Sequence, residues 1–174
     1  LIQLKNHRLK DAIRLKNYNA DNSWIVLGQS SAWPNDSSPP AELLSASDVP
    51  NKFGAVKAIL RWAVEDDAGT ILYNDGSTVR KFLEIDTEEE VLAEDPANIK
   101  VIATATIHSN ELAVSAYRAF GISTDLVPAD GYEEDNFVAS ANIDEWGTVE
   151  CLHHAKPTNI NPDTSWELSI IFEY

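Results

Sequence analysis

Hydrophobic positions along this chain fall mostly in short alternating or continuous runs separated by turn-forming residues, the spacing expected of β-strands. Residues 1–19 are the exception. Leu, Lys, Arg and Gln favour helix there, and no Pro or Gly interrupts. Ile2, Leu9, Ala12 and Ile13 fall near one face of that helix, with Leu15 off the stripe. A polar stop rich in Asn and Asp follows at 17–22. Trp24 to Gly28 is short, β-branched and aromatic, and predicts a strand buried on both faces. Gln29 to Pro40 holds three prolines and four serines, which excludes helix and central strand. Trp33 within it reads as an anchor that pins the loop to the body by burying its ring.

Residues 43–49 predict a short helical turn stopped by Pro50. Ala55 to Val64 suits helix or strand, and the turn-rich residues after it favour strand. A turn at 65–69, a strand at 70–73, an Asp75-Gly76 hairpin turn and a returning strand at 78–85 make a three-stranded meander over 55–85. Thr87 to Glu90 resembles a capping box opening one helical turn that Pro96 ends. Ile99 to His108 and Glu111 to Ile122 alternate, the latter with Leu112, Val114, Ala116 and Phe120 on one face. Ser109-Asn110 joins them as a tight hairpin. Leu126 to Asn136 and Ala155 to Ser165 read as loops, and Phe137 to Ile143 and Thr148 to Leu152 as short strands. Trp166, Leu168, Ile170, Phe172 and Tyr174 share one face of a final strand. One helix and about eight or nine strands predict a mainly-β protein: an antiparallel β-sandwich-like body with an N-terminal α-helix and long loops. The predicted organisation is a basic arm, 1–22, and a single mainly-β domain, 23–174.

Composition narrows the class. At 174 residues and 44% hydrophobic, the chain can bury a real core without a disulfide, and its single Cys151 could not form an internal one. No apolar run reaches the ~20 residues of a membrane helix, and the charged first stretch is no signal peptide. The lack of Met implies that a few residues precede Leu1 in the translated chain. Thirteen basic and 28 acidic residues leave a net charge of −15. Residues 1–19 hold Lys5, Arg8, Lys10, Arg14 and Lys16 against Asp11, a local +4, so the remainder carries −19. Such a body repels nucleic acid and anionic membranes. A basic arm on it reads either as a contact for a complementary protein surface, a second copy of the chain included, or as a solvated helix face.

Candidate chemistry is sparse. Cys151-Leu152-His153-His154 offers two ligands on one strand face, too few for a zinc site, and reads as polar residues at a strand end. His7 and His108 have no partner motif. Asp130-Gly131-Tyr132-Glu133-Glu134-Asp135 lacks the spacing of a calcium loop and reads as a solvated acidic loop, as do Glu88-Glu89-Glu90 and Asp66-Asp67. No nucleophile elbow, Walker loop, dinucleotide fingerprint or zinc-protease motif occurs. The sequon Asn35-Asp36-Ser37 means little without a secretory route. The expectation is a non-enzymatic assembly component with no catalytic residue, metal or cofactor, and with a small-molecule substrate disfavoured.

Ser23-Trp24-Ile25-Val26-Leu27-Gly28 leads into Gln29-Ser30-Ser31-Ala32-Trp33-Pro34-Asn35-Asp36, with Pro39-Pro40 after it. This stretch resembles the opening of the baseplate wedge family of contractile-tailed bacteriophages. So does the basic segment ending Arg14-Leu15-Lys16-Asn17-Tyr18-Asn19 before it, and the apolar final strand ending Ile170-Ile171-Phe172-Glu173-Tyr174. The detailed match covers about 30 residues at the start and a few at the end, and the chain would be a compact member lacking an inserted domain. The resemblance implies a structural subunit of the virion, made in the host bacterial cytoplasm and built into the tail baseplate. Its partners would be other wedge and tail proteins, with a homodimer as a further possibility. Trp24, Gly28, Trp33, Pro34, Pro39 and Pro40 would act as positional anchors, together with Arg8, Arg14 and Lys16 of the arm. Two other readings stand beside it. One is a neck or tail-tip adaptor. The other is a carbohydrate-binding or hydrolytic β-sandwich using Trp33, Trp62, Trp146 and Trp166 as stacking platforms.

Overall fold

The computed structural model describes residues 5–16, 23–43, 45–65, 71–73, 100–112, 114–161 and 163–173. They form one α-helix, α1 (Lys5–Lys16), one turn of 3-10 helix (Ser140–Asn142) that interrupts the strand expected over 137–143, and twelve strands: β1 (Ser23–Gly28), β2 (Lys52–Lys57), β3 (Ile59–Glu65), β4 (Ile71–Tyr73), β5 (Lys100–Ile107), β6 (Ala116–Thr124), β7 (Val127–Pro128), β8 (Phe137–Ala139), β9 (Ile143–Glu145), β10 (Thr148–Val149), β11 (His153–Asn159) and β12 (Trp166–Glu173). The protein is mainly β with an N-terminal helix, and every strand pairing with an assigned register is antiparallel. The chain divides into two compact units, 19–58 with 105–168, and 1–18 with 59–104 and 169–174.

The larger unit is built on a six-stranded sheet, in which β10, β6, β1, β2 and β8 lie in that order and β11 also joins β6. β1 is central, and all six of its residues are buried, as an unbroken apolar strand demands. Trp24 and Val26 point to one face, where they pack with Val49, Ala55, Ala119, Leu126 and Val138. Trp33, Ile143, Trp146, Val149 and Leu152 close over this cluster. At Gly28 the register to β2 slips by one residue, Leu27 facing Gly54 while Gly28 faces Lys52. A Cβ at Gly28 would overlap the Pro50 carbonyl oxygen and lie 2.7 Å from Val49 Cγ1, so the chain can cross here only without a side chain.

The smaller unit holds most of a four-stranded sheet ordered β12-β5-β3-β4, and α1 lies against β3. Leu9, Ala12 and Ile13 of the helix are buried as the stripe predicts. Leu15 is buried as well, at 2% exposure, so the enclosed face is wider than its spacing suggested. Arg8 and Lys16 are half-buried and Arg14 is exposed. Buried Lys100 is neutralised by Glu173 at 2.6 Å, and the ammonium holds that carboxyl below the usual range.

Several sequence expectations are corrected. Ala55 to Val64 is not one strand: the chain breaks at Ala58, with β2 in one sheet and β3 in the other, where β3 pairs antiparallel with β4 as the meander expected. Ser109-Asn110 does form a turn, with Asn110 at φ 68° and the Glu111 amide donating to His108 O. It does not join a hairpin, because β5 pairs with β3 and β6 pairs with β1, β10 and β11. The described residues of 43–49 include no helix, and the Ala46 amide donates to Leu43 O at 2.8 Å. Residues 127–128 are a two-residue strand inside the predicted loop, paired with β9. Residues 153–159 are an edge strand despite Pro157, which sits where the register slips between His154 and Thr158. No ladder bond is asked of a proline at such a slip. The predicted strand at 78–85, the capping box at 87–90 and the turns at 66–69 and 74–77 lie outside the described residues.

Candidate functional site

The segment from Gln29 to Leu43 leaves β1 as a strap across the edge of the six-stranded sheet. It starts with a sharp bend: Gln29 has φ 52°, and its amide donates to Pro50 O at 3.0 Å. The Gln29 side chain is gripped at both ends, Asn51 Nδ2 donating to its Oε1 at 2.6 Å and its Nε2 donating to Ser31 O at 3.0 Å. From there the strap is tied to the sheet in three places.

The first tie is Arg118, an isolated basic residue in the apolar strand β6. Its Nε and one terminal nitrogen donate to the two carboxylate oxygens of Asp36, at 2.8 and 2.9 Å. Its other terminal nitrogen donates to Ser30 O at 2.7 Å. This fork fixes orientation as well as distance. The Arg118 guanidinium holds the Asp36 carboxyl below the usual carboxylate range, helped by the Trp33 amide, which donates to Asp36 Oδ1 at 2.8 Å.

The second tie is Trp33. Its indole Nε1 donates to Ala155 O on β11 at 3.1 Å, and its ring tilts against His154 with centroids 4.9 Å apart. The ring is half-buried, so the anchor works by a directed hydrogen bond and one ring contact rather than full enclosure. The third tie joins Pro40 and Glu42 to the histidine pair. His154 Nδ1 lies 2.8 Å from Pro40 O, the His154 amide donates to Glu42 Oε1 at 2.8 Å, and His153 Nδ1 is 3.1 Å from the same oxygen. The His154 amide is the chief cause holding the Glu42 carboxyl below its ordinary value. His153 also meets Phe120 edge-on at 5.1 Å.

The predicted residues are thus partly brought together. Trp33, Pro34 and Pro40 belong to the strap, and half-buried Pro39 lies within it. Gly28 sits at its root, and Trp24 lies in the core beneath. Arg8, Arg14 and Lys16 belong to the smaller unit. Sequence reasoning missed Arg118, Glu42 and the use of both histidines. A lone arginine between apolar residues of a strand was the available signal for the first. His153 and His154 are bound up in the strap, and Cys151 lies apart as a half-buried thiol pushed up by burial. Among the described residues no three His, Cys, Asp or Glu side chains converge as metal ligands. Of the candidate stacking platforms, Trp62 is buried at 8% exposure in β3, and Lys52 Nζ sits 4.3 Å over the half-buried Trp146 ring. No helix among the described residues is long and apolar enough to cross a membrane.

The chain matches, over residues 2–174, the family described as baseplate wedge 3 tail fiber network component, and it belongs to that family. No curated protein matches it. The protein is accordingly a component of the phage baseplate wedge and tail fibre network, associated with other proteins of that assembly.

Proposed function

We propose that the chain serves this assembly without catalysis, as a wedge subunit that docks on neighbouring wedge proteins through its strap. The supporting observation is the Arg118–Asp36 fork: an exposed, proline-rich segment is locked by two side-chain nitrogens and backed by Trp33 and the histidine pair. A surface already rigid loses little entropy when it binds, so contacts made by it convert efficiently into affinity. The strap also ends in Leu43, 69% exposed, an apolar tip on a strongly acidic chain. That combination suits a protein partner better than a polyanion.

The test is co-expression with the other baseplate wedge proteins of the same phage, followed by size-exclusion chromatography at low and high salt. The expected result is co-elution with at least one wedge protein, weakened by Leu43→Asp, which alters only an exposed side chain. Elution as an unassociated monomer beside every wedge protein would overturn the proposal. So would saturable turnover of a small molecule by the purified chain.

A further inference from the structure

A second surface of the larger unit has the makings of a specific seat. Behind the core, at the end of β2, a cavity of about 430 Å³ is floored by Trp24 and walled by Leu126, Val127 and Pro128. Val127 is 45% exposed there, and Tyr132, on the adjoining loop, is 37% exposed. Lys57 lies along one side, its Nζ 5.6 Å from the Trp24 ring centroid and donating to Glu133 O at 2.6 Å. That bond and two successive turns, Tyr132 N to Ala129 O at 3.0 Å and Asp135 N to Tyr132 O at 3.2 Å, shape the loop into a rim. The rim carries the exposed carboxylates of Asp130, Glu133, Glu134 and Asp135, with Glu133 and Glu134 lining the cavity itself. Trp24 adds an unusual feature. It is fully buried, and its indole N–H meets no acceptor among the described residues. A buried donor without a partner is costly and rare in a finished interior.

From these observations we infer that this cavity receives a short extended segment of a partner protein, one that carries an arginine or lysine beside a bulky apolar residue. The apolar side chain lies on Val127 and Pro128, above the buried Trp24 and Leu126. The basic group reaches Glu133 and Glu134, its stem lying on Val127. Charge selects this occupant: the cavity pairs one lysine, already engaged, with two carboxylates, on a chain of net charge −15. Nucleic acid and anionic lipid are repelled by the same balance. A second copy's basic helix is a poor fit, because Leu9, Ala12, Ile13 and Leu15 are already buried in its own unit and leave charge without an apolar plug. The inference rests on the assembly function proposed above and names the chemistry of one partner.

The experiment titrates the ¹⁵N-labelled chain with a terminally blocked Gly-Leu-Arg-Gly peptide and follows the Trp24 indole N–H resonance, assigned by its disappearance in Trp24→Phe. The expected result is a saturable shift of that resonance, with binding roughly fivefold weaker in Glu133→Gln/Glu134→Gln, since exposed ion pairs contribute modestly. Replacing the peptide's arginine by citrulline should weaken binding similarly. No shift at millimolar peptide, equal affinity for the double variant, or shifts confined to other residues would overturn the inference. The double variant also separates the two proposals. If it loses the peptide yet still co-elutes with every wedge partner of the native chain, the cavity is not an assembly contact while the assembly function stands. If the native chain co-elutes with none, the assembly function fails.

Discussion

Replacing Trp33 tests whether the strap is fastened or merely resting. A fully enclosed tryptophan removes about 150–250 Å² from water, so the half-buried Trp33 accounts for about 100 Å². At ~25 cal/mol per Å² that is about 2.5 kcal/mol. The bond from Nε1 to Ala155 O adds ~1 kcal/mol. Alanine keeps the Cβ, so Trp33→Ala should cost slightly less than that sum, about 3 kcal/mol. Trp33→Phe keeps most of the ring and loses the bond, for about 1 kcal/mol. In a chain of this size each kcal/mol moves the melting point by ~2–4 °C, so the two variants should melt ~6–12 °C and ~2–4 °C lower. Calorimetry gives the melting points, and hydrogen exchange gives the location. The amides of Gln29, Ser37 and Ser38, held by Pro50 O, Asn35 Oδ1 and Asn35 O, should exchange faster in Trp33→Ala, in that variant more than in Trp33→Phe. If both variants melt within about 1 °C of the native chain and those amides keep their protection, the strap is not anchored by this side chain and the reasoning fails.

Other consequences can be checked on the isolated protein. Gly28→Ala forces a methyl against the Pro50 carbonyl and Val49, and should destabilise by about 1–3 kcal/mol, read as a lower urea midpoint at unchanged slope. Asp36 and Glu42 are both held below their ordinary carboxylate values in the folded chain, so they add stability above the ordinary range and lose it as pH falls through their depressed values. Trp33 fluorescence and strap exchange should accordingly report loosening below about pH 4, and Asp36→Asn should weaken that dependence. Cys151, with its thiol pushed up by burial, should react slowly with a disulfide reagent at neutral pH and rapidly once the chain is unfolded in urea; equal rates would contradict its placement.

Much of the local structure could be read from side-chain order alone. A run of six apolar or small residues ending at Gly28 has little choice but to be a strand enclosed on both faces. The alternation through Trp166–Glu173 dictates a strand with Leu168 buried and its neighbours Glu167 and Ser169 exposed. Three prolines in twelve residues dictate an irregular strap, and the family was legible in that stretch together with the helix before it.

Periodicity reports which faces are covered but not by whom, and the tertiary structure decided the rest. The turn at Ser109-Asn110 invites a hairpin, yet β6 lies beside the fully buried β1, and β5 beside β3. A proline forbids a ladder bond, yet on an edge strand with a slipped register that bond is not required, so β11 forms through Pro157. The strap's fastening belongs to the same category. Asp36 and Arg118 stand 82 residues apart, and Glu42 and His154 stand 112 apart. Arg118 alone carried a local signal, as a single basic residue in an apolar strand; nothing local distinguishes Asp36, Glu42 and His154 from solvated polar side chains, and only the pairing of β6 and β11 within one sheet puts the partners within hydrogen-bond reach.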